Sequence, residues 1–155
     1  MNNENIDYDL CVKQLDEILS GENNKIALLS NASAFLFDCM KNLNWCGFYI
    51  MDNNDNELVL GPFQGKIACW RIPLNKGVCG YSAKNRKSII VDNVHDYKDH
   101  IACDSASMSE LVCPIIIDDT LFGVLDIDSF KEKNFTQNDK EFIEKICKIL
   151  SEKLK

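Results

Sequence analysis

Apolar residues recur at helical spacing near both ends of the chain and at strand spacing through its middle. Residues 7 to about 20 carry Leu10, Leu15, Ile18 and Leu19 as a sparse helical stripe, which Gly21 ends. From 23 to 43 the stripe is fuller. Ile26, Leu29, Ala32, Phe35, Leu36, Met40 and Leu43 recur at three and four, predicting one long helix with a core face and Cys39 as buried filler. After Asn44 the period changes. Trp45 to Met51 reads as a strand, Asp52-Asn53-Asn54-Asp55-Asn56 as a hairpin turn, and Glu57 to Leu60 as the returning strand, broken by Gly61-Pro62. Ala68 to Ile72 predicts a third strand closed by Pro73, residues 79 to 85 a short helix, and Ser88 to Val91 a short strand. Leu111 to Ile117 and Leu121 to Ile127 make a hairpin around Asp118-Asp119-Thr120. Thr136 is a good N-cap, with Asp139 in the first turn, for a last helix carrying Phe142, Ile146, Leu150 and Leu154.

The order is therefore helix, helix, five or six strands with inserts, helix. That predicts an α+β domain, an antiparallel sheet with helices gathered on one side. No repeat, low-complexity segment or linker interrupts residues 1–155, which read as one domain. Residues 92 to 109 stand out as a long polar loop, and loops of that length in compact domains are usually functional.

Composition narrows the classes. At 46% hydrophobic and 26% charged, the 155 residues suit an ordinary globular core. No apolar run is long enough to span a bilayer, and the N-terminus lacks the pattern of a secretory signal, so a cytoplasmic location is the default. A net charge of −7 with scattered Lys and Arg disfavours nucleic acid and anionic membranes. Eight cysteines without a secretory signal argue against a disulfide framework. With no C-x-x-C and only His95 and His100, no zinc-ligand spacing is apparent, and no metal is expected.

Cys103 breaks the pattern of buried thiols. It lies in Asp-His-Ile-Ala-Cys-Asp-Ser-Ala-Ser-Met-Ser-Glu at 99 to 110, among small and polar residues, a setting that suits a reactive thiolate. Cys69 and Cys79 lie upstream beside glycine-rich turns, and Gly77 and Gly80 bracket Cys79, allowing close backbone approach. Asp126 and Asp128, two apart on a strand, share the face opposite Leu125 and Ile127. They form either a solvated strand end or a pair that holds an amine or keeps a proton. Trp45, Tyr49, Phe63 and Trp70 read first as core, with a ligand pocket as the second use.

Several blocks occur in a telling order: Gly-Pro-Phe-Gln-Gly-Lys-Ile-Ala-Cys at 61 to 69, Gly-Val-Cys-Gly at 77 to 80, and Asn93-Val94-His95. They continue with His-Ile-Ala-Cys-Asp-Ser-Ala-Ser at 100 to 107, Ser-Glu at 109 to 110, and Gly-Val-Leu-Asp-Ile-Asp-Ser at 123 to 129. Together they resemble the free methionine-(R)-sulfoxide reductases, which are built on a GAF domain, over about residues 7 to 154. The resemblance implies a central antiparallel sheet of about six strands, flanking helices and a loop-capped ligand cavity. It implies free L-methionine (R)-S-oxide as substrate, thioredoxin as reductant, no bound cofactor, and a homodimer through the terminal helices. By matching position it makes Cys103 the nucleophile, Cys69 the resolving thiol and Cys79 a third cysteine able to assist. Glu110, Asp126 and Asp128 match substrate-site carboxylates, and Trp45 the pocket aromatic. Cys46 and Cys113 depart from the family pattern and read as buried and inert.

The chemistry of the residue types agrees with that implication. A sulfoxide sulfur is electrophilic once its oxygen is protonated, so a thiolate and a carboxylic acid suffice to begin reduction. The rivals are a GAF module binding a small ligand such as a cyclic nucleotide, and a thiol redox sensor on the same scaffold.

Overall fold

The computed structural model describes residues 5–99 and 105–155. Two helices come first, α1 (Tyr8–Ile18) and α2 (Lys25–Cys39), followed by strands β1 (Leu43–Asp52), β2 (Glu57–Gly65) and β3 (Arg71–Pro73). Helix α3 (Gly77–Asn85), strand β4 (Ile89–Val91) and a 3-10 turn at Val94–Asp96 lead to β5 (Ser109–Ile117), β6 (Thr120–Ser129) and α4 (Gln137–Lys153). The six strands form one sheet in the order β3-β2-β1-β6-β5-β4, every neighbouring pair antiparallel.

Strand alternation divides the core into two. Cys46, Phe48, Leu111, Cys113, Ile115, Leu125 and Ile127 face α1, α2 and α4, and pack with Leu15, Leu28, Leu36, Phe142 and Ile146. Trp45, Tyr49, Val112 and Val124 face the other way, toward Val78, Cys79 and Ala83 of α3. The helices are therefore not all on one side, as the element order suggested. Helix α3 arrives by a short crossover after edge strand β3 and has only the opposite face left to cover. Each fully buried Leu, Ile or Phe contributes about 1.5–3 kcal/mol, so the three-helix face supplies most of the hydrophobic stabilisation.

Local chemistry sets the helix ends. Asp7 and Asn24 cap α1 and α2 by accepting from Leu10 and Ala27 N–H groups. Thr136 and Asp139 form a reciprocal capping box at α4, as the sequence predicts. The buried Asp139 also accepts a hydrogen bond from Tyr8 Oη, and the Tyr8 ring stacks on Phe142 at 3.9 Å, fastening α1 to α4.

Several expectations need correction. The buried stripe of α1 is Tyr8, Cys11 and Leu15, while Leu10 and Ile18 are exposed. Helix α2 stops at Cys39, because Met40 is extended and Asn42 adopts φ 64°, which leaves Leu43 to open β1. Ile26 is exposed. Strand β2 is not broken at Gly61-Pro62. Gly47 pairs with Phe63 and Tyr49 with Leu60, so Gly61 and Pro62 together oppose Phe48 in a bulge, where a residue without an N–H is tolerated. Strand β3 starts only at Arg71, so Trp70 precedes the paired segment and is 81% exposed. The expected loop at 92 to 109 contains the Val94–Asp96 turn and ends one residue early, since Ser109 opens β5.

Gly123 lies where β6 crosses β1, and a Cβ there would come 2.2 Å from Tyr49 O. Gly123→Ala should therefore force the two strands apart and destabilise the fold by roughly 1–3 kcal/mol. A denaturant midpoint equal to that of the parent would contradict this reading of the contact.

Candidate active site

The face of the sheet under α3 carries the polar groups. Glu110 on β5 pairs with Asp128 on β6, and Val112 with Asp126, so the alternation that buries Leu111, Leu125 and Ile127 on one side places all three carboxyls on the other. Strand β1 adds Trp45 beside Asp128 and Gly47 beside Asp126. Gly47 is required for close approach, since a Cβ would lie 2.2 Å from that of Phe63 and 2.9 Å from the Trp45 ring.

Helix α3 closes over this face. Gly77, at φ +65°, turns the chain into the helix, and a Cβ on Gly80 would meet Pro73 O at 2.6 Å. Both glycines thus serve backbone geometry and packing. The result seats Cys79 against the carboxyls, its thiol donating to Glu110 Oε1 at 3.9 Å. Cys79, Glu110 and Asp126 are each about 95% buried. Their donor atoms lie within 4.8 Å of one another, a spacing at which one cation, metal ion or ammonium could be shared.

Burial dominates the electrostatics. It pushes the Glu110 carboxyl well above its ordinary range, and the nearby Asp126 and Asp128 push it further. Asp126 is also raised by burial, but hydrogen bonding with Glu110, Cys79 and Asp128 opposes the rise. Of the two buried carboxyls, Glu110 is the one whose surroundings favour the protonated form more strongly. The Cys79 thiol is driven far up by burial and then by the charges of Asp126 and Glu110, so it is a poor thiolate. Although its neighbours are close enough to tune it, Asp126 Oδ1 is buried without a well-aligned hydrogen-bond donor among the described residues. A buried carboxylate oxygen in that condition is costly unless a donor completes it.

Aromatic side chains frame the carboxyls. Trp45 is 3% exposed, stacks on Phe63 (5.2 Å) and Tyr49 (5.8 Å), and donates from Nε1 to Lys66 O at 3.1 Å. Tyr49 Oη donates to Cys69 O at 2.9 Å, tying the Cys69 segment to the same face. Cys69 is half-buried and disulfide-bonded, whereas Cys11, Cys39, Cys46, Cys79, Cys113 and Cys147 are free thiols. Near the far edge, Val94 N–H donates to Met108 O at 2.8 Å, and Asn44 Nδ2 to Ser107 Oγ at 2.9 Å, which fixes the return of the 92 to 109 segment.

The structure thus gathers Trp45, Cys79, Glu110, Asp126 and Asp128 on one face, with Cys69 tied to it through Tyr49. Cys103 lies outside the described residues. The anchoring part played by Tyr49 was not evident from sequence. Its signal is the alternation of Trp45, Gly47 and Tyr49, which puts Tyr49 on the face of Asp126. Asp126 is no solvated strand end.

Such a curled antiparallel sheet with a polar pocket face is that of a GAF domain, and the profile of the GAF domain family matches residues 34–154. The free methionine-R-sulfoxide reductase of Escherichia coli strain K12 is 43% identical over 129 residues, 83% of this chain and 77% of that one. The reduced form of fRMsr of Staphylococcus aureus superposes with a TM-score of 0.93 at 47% identity, covering 98% of this chain and 97% of that one. The free methionine-R-sulfoxide reductase from Neisseria meningitidis, solved in complex with its substrate, gives 0.92 at 37% identity, covering 95% and 87%. This chain belongs to the GAF-domain family of free methionine-R-sulfoxide reductases.

The raised Glu110 carboxyl has a consequence for stability. In the unfolded chain it ionises near pH 4.5, and in the folded protein only at higher pH. Its contribution is complete below pH 4.5 and is lost as pH climbs through the raised value. Glu110→Gln should hence gain stability relative to the parent as pH rises from 5 to 8. Denaturant titrations showing a constant or shrinking gap would refute the protonated assignment.

Proposed function

We propose that this chain reduces free L-methionine (R)-S-oxide to L-methionine, with thioredoxin as electron donor. The observation that carries the reading is the buried carboxyl set beneath α3, in a chain 43% identical to the Escherichia coli reductase. Asp126 offers a buried acceptor, and Asp128 is half-buried beside it. Together they suit the α-ammonium of a free amino acid. A peptide-bound methionine sulfoxide presents an uncharged amide there, so the same carboxylates discriminate against it. Trp45 supplies the apolar surface for the S-methyl end.

In the proposed reaction the Cys103 thiolate attacks the sulfoxide sulfur while protonated Glu110 gives its proton to the oxygen. Methionine leaves, and Cys103 remains as the sulfenic acid. The Cys69 thiol condenses with it, releasing water and forming a disulfide. The thioredoxin dithiol then reduces that disulfide by exchange and is itself oxidised. Overall, one sulfoxide and one dithiol give methionine, water and one disulfide. The disulfide state of Cys69 is consistent with its part in this cycle. Cys79, held protonated against Glu110, is better suited to positioning that acid than to attack.

The decisive assay is methionine formation from separated free R and S sulfoxides and a peptide-bound control, with thioredoxin, its reductase and NADPH. Turnover confined to the free R form is expected. No turnover with any form by folded, reduced protein would move the chain to a ligand-binding or redox-sensing role.

Variants separate the steps. Cys103→Ser should abolish even a single stoichiometric release of methionine, and full cycling by that variant would remove Cys103 as nucleophile. Cys69→Ser should keep one release but lose thioredoxin-driven cycling. Asp126→Asn should lower kcat/KM by about 30-fold, on the order of 2 kcal/mol for a buried charge contact to the ammonium. An unchanged kcat/KM would exclude that contact.

A further inference from the structure

Cys11 on α1 and Cys39, the last residue of α2, lie far from the carboxyl face, on the three-helix side of the sheet. Their Sγ atoms are 2.8 Å apart, although both are free thiols. That separation is inside the van der Waals contact of two sulfurs, and only about 0.8 Å remains to a disulfide bond length. The two helices therefore already hold the pair in near-bonding position.

We propose that Cys11 and Cys39 form a second disulfide, which staples α1 to α2 when the protein meets a peroxide oxidant. Cys11 is 8% exposed, whereas Cys39 is half-buried, so Cys39 is the thiol that a small oxidant reaches. Its sulfur attacks the O–O bond of hydrogen peroxide, giving a sulfenic acid and one water. The Cys11 thiol condenses with that sulfenic acid, forming the S–S bond and releasing the second water. Two thiols and one peroxide thus give one disulfide and two waters.

Position makes the change feasible. Cys39 ends its helix, and the next residue, Met40, is already extended, so the last turn of α2 can close the gap without disturbing the helix interior. Burial first, then the hydrogen bond shared with Cys11, push the Cys39 thiol up to about 12. Little thiolate exists near neutrality, so the pair oxidises under sustained exposure rather than in each turnover. Helix α1 precedes residues 34–154, the stretch that defines the GAF domain, and the cross-link would tie this N-terminal helix to it covalently.

The test treats the full chain with hydrogen peroxide, restores the Cys69 site with thioredoxin, and blocks remaining thiols by alkylation. Non-reducing peptide mapping should recover one cross-linked species joining the Cys11 and Cys39 peptides. The staple spans 28 residues, and loops of that size should raise Tm by about 5–10 °C. The informative quantity is the Tm difference between oxidised and reduced forms within each variant, because the packing cost of the substitution then cancels. Cys11→Ala and Cys39→Ser should each abolish that difference and leave turnover at the parent value. Full alkylation of Cys11 and Cys39 after peroxide would overturn the proposal. So would a Tm rise that persists in Cys39→Ser, which would place the new bond elsewhere. None of these outcomes depends on the sulfoxide substrate.

Discussion

Glu110 faces Asp128 across the β5–β6 ladder, and the site depends on that register being unambiguous. Three carboxyls sharing a buried surface repel one another whenever more than one is ionised, and the hydrogen bonds among them offset that repulsion only in part. What holds them is the other side of the same two strands. Leu111, Cys113, Leu125 and Ile127 are locked among α1, α2 and α4. A slip of one residue would send Glu110 and Asp126 into that apolar core and lift Leu125 and Ile127 into the polar face. Each displaced aliphatic would forfeit about 1.5–3 kcal/mol, with buried carboxyls added on top. The apolar core thus fixes the polar site by excluding every alternative register.

Helix α3 depends on the same logic from above. It has few apolar residues, chiefly Val78 and Ala83, and its packing relies on close approach at Gly80. Cys79 reaches Glu110 only because no Cβ stands between the helix and the Pro73 backbone. The aromatic side is tied in similarly, since Gly47 leaves room for Phe63 to stack on Trp45, while Tyr49 holds the Cys69 carbonyl. Glycines at these two crossings let large and ionisable groups converge.

Much of this was legible in the sequence, and the failures have physical causes. Strand parity alone placed Asp126 and Asp128 opposite Leu125 and Ile127. The resemblance to the reductase family pointed to Glu110, Asp126, Asp128, Trp45 and Cys79, which do share one face. Parity could not say whether that face was wet or buried, because Asp126 is covered by α3, and the pattern of a short helix does not tell which face of the sheet it packs on. The α1 stripe was misread because Tyr8 and Cys11, not the more hydrophobic Leu10 and Ile18, cover the core. There the Tyr8 hydrogen bond to Asp139 and its stack on Phe142 decide the rotation of the helix, and neither is visible to a hydrophobicity count. The bulge at Gly61-Pro62 was hidden for a similar reason. Pro62 reads as a breaker until a partner strand offers a position that needs no N–H.

The protonation of the cluster bears on the proposed chemistry in a way that the static geometry does not. Before substrate binds, burial and two aspartates raise the Glu110 carboxyl and make it a weak acid. A weak acid is a poor donor to a sulfoxide oxygen. An ammonium entering beside Asp126 and Asp128 would cancel part of the negative potential that raises Glu110, and so strengthen the acid once the correct substrate is in place. A ligand without that charge would leave the proton held. On this argument the free amine serves twice, as a handle for binding and as the charge that releases the catalytic proton. Selectivity for the free amino acid should then appear in kcat as well as in KM, which ordinary loss of a binding contact would not produce.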